Sequence, residues 1–438
     1  MRAFIDNRFG LLAVVVAVLA ALYGLAWVTR PAPAASAAPA SAAPRKVPVE
    51  AVTAVCPGTK GEKVGVYLPG TLSHETMKSG EPYVAGGPGA LEAGYTTRAA
   101  RGAARGLAGV RCTEPAPATW LLGPGPASAS VVLRLTNADK APALVDVQVH
   151  APEGPVSGDK GVGLEIAPGE QRAIDLRTLA PSADIAAVSV TTVLGRVAVA
   201  ARAVLETGGV DWLPAAAAPA TRVVVPGIPG GGGLRELIVA APGERDAVVK
   251  VRAVSEDAEY AMRGRESLDV PAGGVVSADV TTGLAASAAA LVLTSDVPVV
   301  AGLVMTGTGE HQDAAFTAGT PSLELGSAVA RNGAGSRLVL SAVGAAPGKV
   351  RVQVVPGEGA AEPPFDVDVP AGRTREVRLK ARGDFAVVVT PVAGEVYGSR
   401  VLEERLKDGL LLTVQPLAPA RAFTLLPPLT DTPLVVVP

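Results

Sequence analysis

The side chains able to do chemistry are few and widely spaced. Three histidines, His74, His150 and His311, are scattered along 438 residues. None falls in a His-Glu-x-x-His or His-x-His spacing, which would set two imidazoles on one metal ion. Each reads as a solvent-facing or internally bonded histidine. His150 ends an alternating segment, and His311 sits in the loop GTGEHQD. Cys56 and Cys112 are the only two cysteines. An even pair outside the cytoplasm predicts a disulfide, closing a loop of about 55 residues and contributing roughly 3–4 kcal/mol through chain entropy. A two-thiol metal site is the competing reading. It needs two more ligands, and His74 is the only histidine between the cysteines.

Other catalytic constellations are equally sparse. No Gly-x-Ser-x-Gly elbow offers a hydrolase nucleophile. Gly344-Ala-Ala-Pro-Gly348-Lys349 falls short of a phosphate loop and reads as a hairpin loop. Pro229–Gly233, PGGGG, has no helix after it and reads as a flexible linker between copies of a repeat. Asp211 and Asp313 stand at matching positions of two repeats. They are the carboxylates that a glycan-cleaving enzyme would have to use. Repeated Asp at a strand entrance is more often turn chemistry. No cofactor or metal site is predicted.

Composition narrows the partners. A formal net charge of −2 lacks the basic excess of a nucleic-acid binder. Aromatics make up 3% of the chain, too few for a lectin built on ring stacking. Trp120 and Trp212 occupy neighbouring stations of the repeat and read as packing residues or a minor interaction surface. Arg98, Arg101 and Arg105 fall at helical spacing in RAARGAARGLAGV, read as a short helix from Arg98 to Val110. Its arginine face is either solvated or in contact with anionic envelope polymer or lipid headgroups.

The elements that must position these residues begin with an anchor. Residues 1–9 read as a cytoplasmic tail. Residues 10–28, GLLAVVVAVLAALYGLAWV, run without a charge and are long enough to cross a bilayer. An uncleaved signal anchor is expected, with the bulk of the chain extracytoplasmic. If the anchor is cleaved, the chain is secreted. Tyr23 and Trp27 suit the membrane interface. Residues 29–47 read as an extended Ala/Pro linker, and residues 48–118 as a disulfide-containing segment.

Beyond that segment the chain repeats with a period of about 100 residues. Leu133–Asn137, Leu237–Ala241 and Leu338–Ala342 open three copies, spanning 119–228, 229–326 and 327–438. In each, alternating strands surround a Pro/Gly turn marked by Gly169, Gly273 and Gly372. Two more strands follow, then a hairpin-like pair such as DWLPAAAAPATRVVVPGI. ATWLLGPG at Ala118 resembles the last strand of an earlier, incomplete copy. Short strands with period-2 alternation and frequent turns predict an all-β protein of tandem antiparallel, Ig-like sandwiches. A six-bladed β-propeller, two blades per copy, is the alternative.

The segments Gly106–Cys112, Trp120–Gly123, Asp211–Pro214 and Val224–Ile228 resemble an actinobacterial, membrane-anchored envelope family of unknown function. The resemblance implies an envelope location and a role in cell-surface polymer assembly, and brings no functional residues with it. The expected function is a non-enzymatic, single-pass cell-envelope scaffold for envelope proteins or cell-wall polymers. A ligand-binding propeller sensor or glycan receptor is second, and a carboxylate enzyme third.

Overall fold

The computed structural model describes residues 2–28, 45–419 and 423–426. Most of the Ala/Pro linker expected at 29–47 lies outside the described residues, and its last three residues belong to a strand, Arg45–Pro48, paired with Phe423–Leu426. Arg2–Val28 is one helix, so the expected tail and span are continuous. Within it, Gly10–Val28 has a mean hydropathy of 2.6. Its apolar side chains face outward all round, Leu11 at 71% and Tyr23 at 65% exposure. Such a surface is stable in a nonpolar medium. By length and composition this helix can cross a membrane or serve as a signal sequence.

Residues 48–424 form a second compact unit, and the regular structure of its described residues is β apart from short helical turns. Its strands fall into facing pairs of antiparallel sheets. The strands of three such pairs run over 118–213, 220–318 and 327–416. Numbering the eight principal strands of each pair in chain order, one sheet reads fourth, third, sixth, first. The other reads fifth, second, seventh, eighth, and both orders hold in all three pairs. In the middle pair the sixth and seventh strands are one 18-residue strand, Ala289–Thr306, which passes from the first sheet into the second.

Alternation places the cores. Val145, Val147 and Val149 point inward while Asp146 and Gln148 between them stay partly exposed. Val350, Val352 and Val354 do the same, facing Leu338 and Leu340 of the opposite sheet. Each buried aliphatic side chain contributes roughly 1.5–3 kcal/mol of transfer free energy.

Residues 52–111 repeat this plan in reduced form. Val52–Cys56 pairs with Tyr83–Gly87, and a four-stranded sheet reads Thr71–Thr76, Lys63–Leu68, Glu92–Ala99, Gly106–Arg111. These correspond to first and sixth, then fifth, second, seventh, eighth; among the described residues the third and fourth strands have no counterpart. The disulfide Cys56–Cys112 joins the two sheets across this core.

Five sequence expectations are corrected here. Arg98–Val110 is not a helix: Glu92–Ala99 and Gly106–Arg111 form a hairpin, with Arg98 opposite Leu107. Gly102, at φ +89°, makes a turn that an Ala/Arg helix has no use for. The pair read as a closing hairpin is divided, since Val210–Leu213 ends one sandwich and Ala220–Ile228 opens the next. By the same rule Ala118–Pro124 opens the first full sandwich, and Pro229–Gly233 lies inside the second rather than between copies. The propeller alternative fails because the sheets pack in pairs on shared cores, where a propeller stacks single sheets radially.

Candidate functional site

The eighth strand of each sandwich pairs with the seventh and leaves its other edge free in the sheet. Buried edge amides need acceptors. Here the four edges meet each other: Gly106–Arg111 touches Val210–Leu213, which touches Ala314–Ala318, which touches Gly409–Pro416, which touches Gly106–Arg111 again. Apolar contacts close the same cycle. Val210 and Trp212 join the N-terminal core. Ile238, Val300 and Phe316 join that of the first full sandwich. Val339, Val401 and Leu412 join that of the second, and Tyr67 and Leu72 pack on Ala328 and Ala386 of the third.

Two carboxylates supply the missing acceptors at this junction. Asp313 is fully buried. Its Oδ2 accepts from the amides of Leu107 (2.8 Å) and Leu412 (2.9 Å), and its Oδ1 from those of Ala314 (2.8 Å) and Val210 (3.2 Å). One side chain thus binds the backbones of all four closing strands. Asp211, also fully buried, accepts at Oδ1 from Gly109 and Trp212, each at 2.9 Å. Thr413 Oγ1 takes a second share of the Gly109 amide at 3.1 Å. A Cβ on Gly109 would lie 2.6 Å from that hydroxyl, so the approach requires glycine.

Burial dominates the electrostatics. It pushes Asp211 well above the usual carboxylate range, against the pull of its amide donors, and the Asp313 charge adds to the rise. It raises Asp313 to about 6, although four amides favour the ionised form. Arg400, on the seventh strand of the third full sandwich, is fully buried and lowered to about 10 by desolvation, which the Asp211 charge opposes. Its Nη2 donates to Gln415 Oε1. Paired carboxylates of raised pKa are a usual mark of acid–base catalysis. These two expose no surface to a substrate, and their amide partners tie strands together. The arrangement is a hub.

The arginines serve the same junction. Arg105 is buried, donating from Nη1 to the His311 carbonyl at 2.6 Å and from Nη2 to Asp408 at 3.1 Å. Arg98 is bound at both ends of its guanidinium by Glu404, with its Nε 2.6 Å from Oε2. Arg101 is exposed on the intervening turn. So the three share no helix face, and two of them reach the third full sandwich.

Of the two tryptophans, Trp120 is on a first strand and Trp212 on the eighth strand of the same sandwich. Trp212 is buried in the N-terminal core, and Trp120 stacks at 5.5 Å on His150, whose Nδ1 lies 2.8 Å from the Gly273 carbonyl. His74 lies 3.7 Å from Asp384. Among the described residues no group of His, Cys, Asp and Glu could hold a metal ion.

The Pro229–Gly233 run lines a cavity of about 130 Å³ together with Arg235, Thr281 and Ser287. The Arg235 guanidinium there donates to the carbonyls of Leu234 (2.9 Å) and Thr306 (3.0 Å), so it holds the loop.

Sequence reasoning named Asp211 and Asp313 but took them as turn residues, and it missed Arg400, Thr413 and Gln415. The available signal was a charged residue at an inward phase of an apolar strand, as in VDWL and YGSRVL.

A search of curated proteins gave no match. A family model matches residues 79–380, a span that takes in the hairpin of Gly106–Arg111 and both hub carboxylates, and the chain therefore belongs to the family of unknown function DUF5719.

Proposed function

We propose that this protein is a non-enzymatic, single-pass scaffold of the actinobacterial cell envelope, holding envelope proteins or cell-wall polymers on a ring of Ig-like sandwiches. The carrying observation is the bonding of Asp313. This buried carboxylate fixes the closing strands of four sandwiches to one another. A rigid body of that kind offers loops and sheet edges in constant relative positions, which suits multipoint recognition.

Two features support the location. The Gly10–Val28 helix is of spanning length. The Cys56–Cys112 disulfide is a bond that persists in oxidising compartments. Together they favour a body outside the cytoplasm, tethered through residues 10–28, with no nucleic-acid partner.

The test has two parts. External protease applied to spheroplasts should degrade the body and leave a fragment carrying the helix. The full chain in detergent, used as bait against solubilised envelope and purified wall polymer, should retain a saturable partner that is lost when the hub is broken by Asp313→Ala. Protection from external protease would refute the location. Hydrolysis of wall polymer by the purified chain would refute the non-enzymatic role.

A further inference from the structure

The three full sandwiches place the sixth strand between the first and the third: Ile185–Leu194 lies between Ala118–Pro124 and Ala143–Ala151, and Phe385–Ala393 between Ser327–Asn332 and Gly348–Pro356. The N-terminal sandwich keeps the sixth strand, Tyr83–Gly87, but among the described residues no third strand lies beside it. Its sheet ends there.

The register says which backbone groups are left over. Tyr83–Gly87 pairs antiparallel with Val52–Cys56, with Val84 opposite Val55 and Gly86 opposite Thr53. The amide and carbonyl of Val55 are bonded to Thr113, on the side away from Tyr83–Gly87. Val55 and Val84 are therefore a non-hydrogen-bonded pair, and alternation makes Thr53 and Gly86 another. So the N–H and C=O groups of Val84 and Gly86 point away from Val52–Cys56, into the place of the missing strand. Val84 is 47% exposed, a large apolar residue at the centre of this edge. A Cβ on Gly86 would meet nothing within 4 Å, so the outer face of the strand is open there.

We propose that the outer edge of Tyr83–Gly87 is a docking site for an extended peptide with apolar residues at alternate positions, which adds to the sheet as its third strand. The chemistry of the guest follows from the sister sandwiches. Their third strands bury alternate valines, Val145, Val147 and Val149 in one and Val350, Val352 and Val354 in another, and turn Gln148 or Arg351 outward. They run antiparallel to the sixth strand. Backbone bonds would supply the affinity and the alternate side chains the selectivity. Pro82 and Pro88 flank the edge and limit the guest to about five paired residues. The proposal rests on the scaffold reading, for which it names a point of attachment.

The full chain in detergent micelles would be titrated with a labelled, end-capped peptide of the sequence Ala143–Ala151, ALVDVQVHA, and with a scrambled peptide that lacks the alternation. Saturable binding of the first alone is expected, with amide exchange at Val84 and Gly86 slowed about tenfold or more at saturation. Gly86→Pro removes an outward N–H and no internal bond, so it should cut peptide affinity about tenfold or more at an unchanged melting temperature. Should that variant fail to fold, Val84→Lys serves, since a lysine on an edge deters pairing. Absence of saturable binding, protection of both amides in the free chain, concentration-dependent protection from edge-to-edge pairing of two copies, or unaltered affinity in the folded variants would each overturn the proposal. A chain that binds the peptide but retains no envelope partner removes the scaffold reading and leaves the edge standing. A partner held equally by wild type and Gly86→Pro does the reverse.

Discussion

Asp313 and Leu107 are 206 positions apart in the chain, and the carboxylate of one accepts from the amide of the other at 2.8 Å. The same carboxylate reaches Val210 and Leu412, so a single side chain connects the closing strands of all four sandwiches. The stability of the body should therefore depend on this residue far more than its position at a strand entrance suggests. Asp313→Ala strands amide donors from three other sandwich edges in an apolar interior, and a loss of about 3–5 kcal/mol is expected. Asp313→Asn keeps one acceptor oxygen and should lose about 2–4 kcal/mol. Urea unfolding monitored at Trp212 would measure both, and a loss below about 1 kcal/mol for the alanine variant would remove Asp313 from its role.

The raised pKa of Asp313 carries a definite sign. Its folded value is about 6, above the unfolded value near 3.9. Between these values the folded chain holds more protons than the unfolded chain, so this group makes stability fall as pH rises from about 4 to about 6. Two pKa units correspond to about 3 kcal/mol, fully lost above pH 6. The surface carboxylates held low by arginines act in the opposite sense and at lower pH: Asp139 by Arg196, Glu404 by Arg98. Melting temperature measured from pH 4 to 7 should therefore decline in the wild type through the upper part of that range. The decline should flatten in Asp313→Asn, and an identical profile in the variant would assign the titration elsewhere.

How far these features were legible from the residues depends on their range. Alternation such as Val145, Val147, Val149 is a local signal, and it revealed the strands and their approximate period. The Arg98–Val110 segment misled because Ala and Arg favour helix locally, whereas the pairing of Arg98 with Leu107 across the Gly102 turn is a tertiary gain. Ala220–Ile228 was assigned to the wrong sandwich because strand periodicity says which residues face inward, not which sheet receives them. The fourth, reduced copy was hidden by the loss of two strands, which removes the spacing that betrays the other three. Asp211 and Asp313 were visible as residues, but their partners Gly109 and Leu107 lie in another sandwich, and no local pattern links them.

Reduction of the disulfide should weaken the N-terminal sandwich first. Cys56 and Cys112 are separated by 56 positions and join its two sheets. That sandwich also has the fewest strands. Cys56→Ala with Cys112→Ala should lower stability by about 3–4 kcal/mol in the chain-entropy account. Hydrogen exchange should accelerate in Lys63–Leu68 and Glu92–Ala99 before it does in the third full sandwich. Uniform acceleration throughout residues 48–424 would instead show that the ring unfolds as one cooperative unit.

The arginine ties differ in burial, and that difference predicts their order of importance. Arg98 and Glu404 form a two-point pair, but their side chains are 47% and 37% exposed. Solvent screening and the entropy of two ordered side chains reduce such a pair to about 0–1 kcal/mol, so Arg98→Ala should be nearly silent. Arg105 is buried to 8% side-chain exposure and holds both the His311 carbonyl and Asp408. Its removal leaves the partly buried His311 carbonyl without this donor, and Arg105→Ala should cost about 1–2 kcal/mol. Arg400 is fully buried and feels the Asp211 charge. Because burial already favours the neutral form of Asp211, Arg400→Met should cost about 1–3 kcal/mol, and adding Asp211→Asn, which mimics that neutral form, should cost less than Asp211→Asn does alone. The double-mutant cycle of Arg400 and Asp211 measures this directly. Strict additivity of the two substitutions would mean that the residues do not interact, and the electrostatic account of the hub would fall with it.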